Sequence, residues 1–262
     1  MKKERSSSLA NALAILKCFS MDNPELGVTE MAKILGLSKS AVHRLMLSMG
    51  SEGFVHKDAQ TNRYSLGTSI LALTNIVNYQ LPIINESIPI LNLLTERTGE
   101  TALLGILEGT NMIYLQKIES ENPVKPAVHI GMRLPIHCTC SGQVVLAFQN
   151  EETIAKLVPN KLEQYTSKTV GTREELEKRL TEIKRQKYAI CVQEYCEDYI
   201  SIGAPVWDNQ ERVIAAVSIV GPVQRLKKKQ WMIEEVKTAG QNLSEIVKKR
   251  KKKGLNYNLV RK

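Results

Sequence analysis

Two groups of residues in this chain of 262 carry side chains that could do chemistry. The first is His137-Cys138-Thr139-Cys140 with Cys191 and Cys196 further on, a set open to reading as soft metal ligands or as a nucleophile beside a base. A Cys-x-Cys followed by distant cysteines lacks the paired Cys-x-x-Cys spacing of structural zinc sites. Neighbours in sequence seldom point at one another, and neither a nucleophile elbow nor a third orienting residue accompanies the pair. No Gly-x-x-x-x-Gly-Lys loop occurs to cradle a phosphate. The expectation is therefore no enzyme, no catalytic residue, no metal and no cofactor; residues 135–139 shape a pocket entrance and the thiols pack as small buried side chains. The second group is Lys39, Ser40, His43 and Arg44, whose spacing gathers hydroxyl, imidazole and cationic groups on one helical face. Such groups hold phosphates and read base edges.

Local sequence supplies the elements to position that face. Leu9, Leu13, Leu16 and Phe19 recur at helical spacing, predicting a serine-capped helix over residues 8–20 that faces inward through them. A second helix is expected with Thr29 as its cap and Met31, Ala32, Ile34 and Leu35 inward, left through Gly36 at positive φ. Ser38 opens a third helix, running to residue 49, with Val42, Leu45, Met46 and Met49 as its buried stripe. Two helices around a glycine turn, the second basic near its start, predict a helix-turn-helix. Residues 53–57 and 63–67 alternate about the turn-rich stretch 58–62, predicting a wing that can touch backbone phosphate or an adjacent minor groove with Lys57, Asn62 or Arg63. Beyond Pro82, helical spacing over 82–98, 173–186 and 230–250 and strands over 101–107, 112–118, 204–207 and 213–220 predict a mixed α and β domain able to hold a small molecule.

Composition bounds the class. Hydrophobic residues make up 43%, which excludes a wholly disordered chain, and no apolar run approaches the roughly 18 to 20 residues that cross a bilayer. The first residues imitate a secretory signal faintly, but Asn11 and Lys17 interrupt the apolar segment, and five sparse cysteines do not make a disulfide framework; a cytoplasmic protein is expected. The net charge of +9 is unevenly spread: residues 1–70 hold 9 basic and 6 acidic side chains, 71–224 hold 14 and 18, and 225–262 hold 13 and 3. Polyanion binding therefore belongs to the ends. The run Lys248 to Lys253 reads as the solvated end of the last helix, with a nucleic-acid arm as the alternative.

The segments at residues 9–16, Leu37-Ser38-Lys39-Ser40-Ala41-Val42-His43-Arg44-Leu45 and Tyr64-Ser65-Leu66-Gly67 resemble the IclR-type bacterial transcription regulators. The likeness resumes at residues 131–143, similar to a Gly-x-Arg-x-Pro-Leu-His-x-Thr-Ala-x-Gly-Lys element but departing at Cys140 and Gln143. It continues at 188–205 and at 215–222. The resemblance implies an α+β chain: a winged helix-turn-helix DNA-binding domain over 1–67, a linker helix over 68–81, a mixed α/β, GAF-like effector-binding domain over 82–252 and a basic tail over 253–262. It implies a homodimer or homotetramer on a palindromic double-stranded operator, a small-metabolite effector and no membrane partner.

Joined to that resemblance, the DNA-binding set is Thr29, Ser38, Lys39, Ser40, His43, Arg44, Lys57 and Arg63, and the effector-binding set is Ser141, Gly142, Cys191, Ser201, Ser218 and Val220. Where the family often places an Asp, a Cys and two Ser around a small carboxylate, this chain has Cys191, Ser201, Ser218 and Val220. An unpaired buried polar ligand atom costs on the order of 1 to 3 kcal/mol, so the effector is expected to be larger or less polar than a two-carbon oxoacid. The function expected is a ligand-responsive transcription regulator, a repressor ahead of an activator on family habit. The alternative is a metabolite- or metal-binding protein whose N-terminal module docks protein.

Overall fold

A computed structural model of the chain describes residues 7–122, 128–226 and 230–251. The expected basic tail, 253–262, lies outside the described residues. Contacts divide the chain into two units, residues 1–80 and 81–262, each with its own core.

In the first unit, helix α1 (Ser8–Leu16) begins where Ser7 Oγ accepts the Ala10 N–H at 3.1 Å. It ends four residues short of expectation, and Leu9 and Leu13 are 70% and 51% exposed. The buried stripe is the one through Ala12, Ile15 and Leu16, because that side meets the core. Helix α2 (Val28–Leu35) is capped at Gly27, whose N–H donates to Glu30 Oε2 at 2.6 Å; Thr29, the expected cap, sits inside the helix. Its C-cap is Gly36 at φ 64°, as the sequence predicts, whereas Ile34 faces outward. Helix α3 (Lys39–Ser51) is capped by Ser38, whose Oγ accepts the Ala41 N–H at 3.2 Å. Met31, Val42 and Met46 are wholly buried with Ile15 between the three helices. Each such side chain contributes about 1.5 to 3 kcal/mol relative to an exposed one.

Strands β1 (Val55–Lys57) and β2 (Tyr64–Leu66) pair antiparallel, Lys57 opposite Tyr64. Asp58 Oδ1 closes their turn by accepting the N–H groups of Gln60 and Thr61. Tyr64 exchanges both backbone hydrogen bonds with Leu26, tying the wing to the entry of α2. Helix α4 (Ser69–Gln80) follows and buries none of its residues.

The second unit opens with α5 (Ile83–Thr98), ended by Gly99 at φ 71°. Strands β3 (Thr101–Glu108), β4 (Asn111–Ile118), β5 (Arg133–Pro135), β6 (Ala189–Val192), β7 (Tyr199–Trp207) and β8 (Val213–Pro222) form one antiparallel sheet in the order β5-β4-β3-β8-β7-β6. Between β5 and β6 come α6 (Cys140–Ala147), α7 (Glu151–Leu157) and α8 (Arg173–Gln186); α9 (Val223–Leu226) and α10 (Gln230–Lys251) end the described chain. One sheet face packs on α5 and α10 through Leu91, Leu94, Met232, Val236 and Leu243. The other packs on α6 and α8 through Val144, Leu146, Leu176 and Leu180. Alternation along each strand sends Ala102, Leu104 and Ile106 to the first face and leaves Leu103 on the second. The α+β architecture matches expectation, while β5, β6, the first half of β7, α6 and α7 are additions to it.

At one end of β3, Glu100 is 2% exposed and its carboxylate accepts two hydrogen bonds from Arg225, at 2.9 and 2.6 Å. Removing one partner of a buried pair strands the other charge. Arg225→Met is expected to cost about 2 to 3 kcal/mol, the low end because the guanidinium is partly solvated, and Glu100→Gln in the same chain to recover more than half. Urea unfolding checks both.

Candidate functional site

Each unit carries its own candidate site. On α3 of the first unit, Lys39, Ser40, His43 and Arg44 are all exposed, opposite the buried Val42, Met46 and Met49. Leu47 extends the same stripe at 58% exposure. The step of seven from Ser40 places it on that face. Ser38 is spent as a cap, its Oγ also 3.1 Å from Ser40 Oγ.

Thr29, His43, Lys57, Asn62 and Arg63 line one groove between the start of α2, α3 and the wing. Within it Arg63, expected to hold phosphate, braces the protein itself: its Nη2 donates to the Glu25 carbonyl at 2.8 Å and lies 3.0 Å from Glu30 Oε2. The Gly27 N–H first, and Arg63 with it, holds the Glu30 carboxyl below its ordinary range. Lys57 has no carboxylate partner among the described residues; its Nζ stands 6.0 Å from the centre of the Tyr64 ring. The groove thus presents a net positive edge with an unpaired ammonium at the wing.

In the second unit a cavity of about 70 Å3 lies against the sheet face that also carries α6. Its floor is set by register. Cys191 on β6, Ser201 on β7 and Val220 on β8 stand side by side, and one step along, Gly203 on β7, Ser218 on β8 and Leu103 on β3 form a parallel row. The first turn of α6 lies over Gly203, where an added β-carbon would stand 3.1 Å from Cys140 Sγ. Of the expected effector residues, Cys191, Ser201, Ser218 and Val220 line the cavity. Ser141 does not line it; it is wholly buried and donates to Ser218 Oγ at 3.0 Å, leaving the Ser218 proton to point elsewhere. Nor does Gly142 line it. Its lack of a side chain lets α6 pass against the Ile136 carbonyl, with which a β-carbon would collide.

The cavity also takes in residues that sequence reading left out: Tyr114, Met132, Leu134, Glu194 and Tyr195, with Cys138 and Cys140 in the same wall. Burial pushes the Cys138 thiol up to about 12 and the Cys140 thiol up to about 11, and raises Cys191 and Tyr114 as well. At neutral pH the three thiols are therefore protonated and weak nucleophiles. Among the described residues no three His, Cys, Asp or Glu side chains are placed to hold a metal ion. Glu194, 5% exposed, is raised by burial, while Arg179 at 2.6 Å and Gln143 Nε2 at 2.8 Å stabilise its charge. Gln143 stands where the family element has Lys; its Nε2 also reaches the His137 carbonyl at 2.8 Å, and its Oε1 is buried without a partner. Among the described residues no helix is long and apolar enough to cross a membrane.

Comparison with known proteins follows the same division of the chain. Residues 8–59 match the IclR helix-turn-helix domain, and residues 77–245 match the C-terminal domain of the bacterial transcriptional regulator IclR. The HTH-type transcriptional regulator XynR of Escherichia coli is 32% identical over 213 residues, which is 81% of this chain and 84% of that protein. The transcriptional repressor IclR of the same organism is 27% identical over 222 residues, 84% of this chain and 81% of that one. Among solved structures, IclR of Thermotoga maritima superposes with a TM-score of 0.75 at 25% identity, covering 93% of this chain and 98% of that one. An IclR homologue of Microbacterium hydrocarbonoxydans complexed with 4-hydroxybenzoate superposes at 0.82 with 23% identity, covering 92% and 99%. These relatives are named as transcriptional regulators, not as enzymes.

The raised thiols fix a pH dependence. Unfolded cysteine ionises near its ordinary value of 9.0, while Cys138 and Cys140 stay protonated in the fold until about 12 and about 11. Across pH 9 to 11 the unfolded chain therefore binds fewer protons than the folded one, and stability falls as pH rises. The urea midpoint at pH 10 is expected below that at pH 8, with a smaller drop in a Cys138→Ser, Cys140→Ser protein; an equal drop would assign it to other groups.

Proposed function

The chain belongs to the IclR family of bacterial transcriptional regulators, and from that premise we propose that it is a cytoplasmic repressor that binds a palindromic operator as a homodimer or homotetramer and answers a small metabolite. The observation that carries the DNA-binding half is the exposed face of α3, capped and aimed by Ser38 and carrying Lys39, Ser40, His43 and Arg44 clear of the core. Side chains near the start of such a helix meet base edges in a major groove, while phosphates are held around it. Arg44 is the reader of first choice, with guanine the simplest partner for its forked donors. Lys57 serves backbone phosphate, and Arg63, fastened to Glu25 and Glu30, keeps the wing in place for it. Thr29, at the groove's edge, is a second phosphate ligand.

The cavity over β6, β7 and β8 supports the responsive half. It is a partly open, partly polar pocket formed from residues remote in sequence. An effector there changes DNA affinity only by binding two arrangements of the protein unequally. Helix α4, the last element of the first unit before the chain enters the second, is the element to transmit the difference. The reading as a repressor is supported by the name of the Escherichia coli relative, a transcriptional repressor.

Retention of genomic fragments at graded salt, followed by sequencing, tests the assignment. A shared inverted repeat with affinity falling steeply in salt is expected. Uniform retention, or binding indifferent to salt, overturns it. On the recovered operator, Arg44→Ala is expected to lose about 1 to 3 kcal/mol with relaxed specificity, whereas Lys57→Met weakens all sequences alike and lowers the salt slope by about 1. Equal binding by Arg44→Ala and parent removes Arg44 from the interface.

A further inference from the structure

The outward face of α3 is not wholly polar. Ser40, His43, Arg44 and Leu47 follow one another at steps of three, four and seven, which at about 3.6 residues per turn sets Ser40 and Leu47 almost in line, with His43 and Arg44 to either side. Leu47 is 58% exposed, and among the described residues it is the only large apolar side chain exposed on this helix. It points away from Val42, Met46 and Met49, so the core of the unit does not cover it. A lone exposed leucine on an ordinary surface needs no partner. This one stands among a hydroxyl, an imidazole and a guanidinium, with Lys39 exposed on the turn before them.

The hydroxyls beyond it leave its place uncontested. Ser48 Oγ donates to the Arg44 carbonyl at 3.2 Å and Ser51 Oγ to the Ser48 carbonyl at 2.9 Å, so both turn back on the backbone of the helix. Base edges in a major groove present donors and acceptors, and thymine alone adds a methyl group, at C5. A leucine set against a polar edge strips it of water and returns no hydrogen bond, which is penalised. Set against the methyl, it takes apolar surface out of water on both partners.

Spacing along the helix fixes where that methyl lies. Leu47 is three residues beyond Arg44, about 4.5 Å along the axis, and base pairs follow one another at about 3.4 Å. We propose that Leu47 is a specificity-determining residue, selecting through its C5-methyl a thymine that lies about one or two base pairs from the base that Arg44 reads in each half-site. This rests on the reading of α3 as the helix that enters the major groove, and the two fail in different ways.

Fluorescence anisotropy of the full chain on the recovered operator, with the thymines of both half-sites replaced in turn by deoxyuridine, removes the methyl and keeps every hydrogen-bonding group of the base pair. One symmetric pair of positions beside the Arg44 base is expected to cost about fourfold in affinity for each half-site, the weight of one methyl group. Leu47→Ala is expected to weaken binding to the thymine operator by a similar factor and to be indifferent to deoxyuridine at that pair alone. The deoxyuridine series uses the parent protein, so it stands whatever the substitution does to folding. A parent protein indifferent to every thymine methyl, or sensitive only to methyls remote from the Arg44 base, overturns the proposal. So does a Leu47→Ala protein that loses as much on the deoxyuridine operator as on the thymine one, a result that assigns Leu47 to a contact with protein or with the DNA backbone. In each of these cases an operator that Arg44→Ala binds with relaxed specificity leaves the groove reading of α3 standing. Recovery of no operator, or equal binding of it by parent, Arg44→Ala and Leu47→Ala, overturns both.

Discussion

The close approach of α6 to the sheet is the constraint on which the second unit depends. Its first turn lies close on β7, where an added β-carbon at Gly203 would crowd Cys140, and it can pass the β5 exit only because Gly142 offers no side chain against the Ile136 carbonyl. That approach walls one side of the pocket over Cys191, Ser201, Ser218 and Val220. It also buries every residue of α6, so the helix has no solvated face and its partly polar sequence must find partners inside. Thr139 caps it by accepting the Gly142 N–H, Ser141 finds Ser218, and Gln143 finds Glu194 and the His137 carbonyl.

Burying those groups shapes the electrostatics of the cavity. Desolvation raises the surrounding thiols Cys138, Cys140 and Cys191, which favours their protonated form. Burial raises Glu194 too, and Arg179, reaching from α8, opposes that shift by favouring its carboxylate form. The same logic on a smaller scale holds the wing: Glu30 caps α2 through Gly27 and simultaneously anchors Arg63, so a helix start and a hairpin share one carboxylate. Among the described residues Lys57 has no carboxylate partner, and the Lys39, Ser40, His43 and Arg44 face of α3 stays exposed.

Some elements were easy to read because their information is local. Ser38 before an apolar stripe, Gly36 at the turn, and the alternation on either side of residues 58–62 each follow from a few neighbouring residues. Helix α6 was invisible to the same reading: a helix covered on all sides shows no polar stripe and hence no period. Strand β6 and the start of β7 were missed because the chain between them turns through Gln193 and Asp198 at positive φ, without the glycine that usually announces such a bend. In α1 the periodicity fitted two stripes, and only the neighbouring helices decided that Ile15 would be buried and Leu9 and Leu13 would not.

By itself the sequence determined the helices and wing of the first unit and the long helices α5, α8 and α10 of the second, how the charge is shared along the chain, and, through motifs that carry their own spacing, which kind of regulator it resembles. These depend on residues within a turn or two of one another. Tertiary structure alone decided that Arg63 is a brace and Lys57 a free cation, that Gly142 and Ser141 stand behind the cavity wall, and that Glu194 and Tyr114 stand in it. Each of those outcomes is fixed by strand register or by a partner dozens of residues away, Ser141 with Ser218 and Gln143 with Glu194 among them, and no local pattern records a distance that only folding closes.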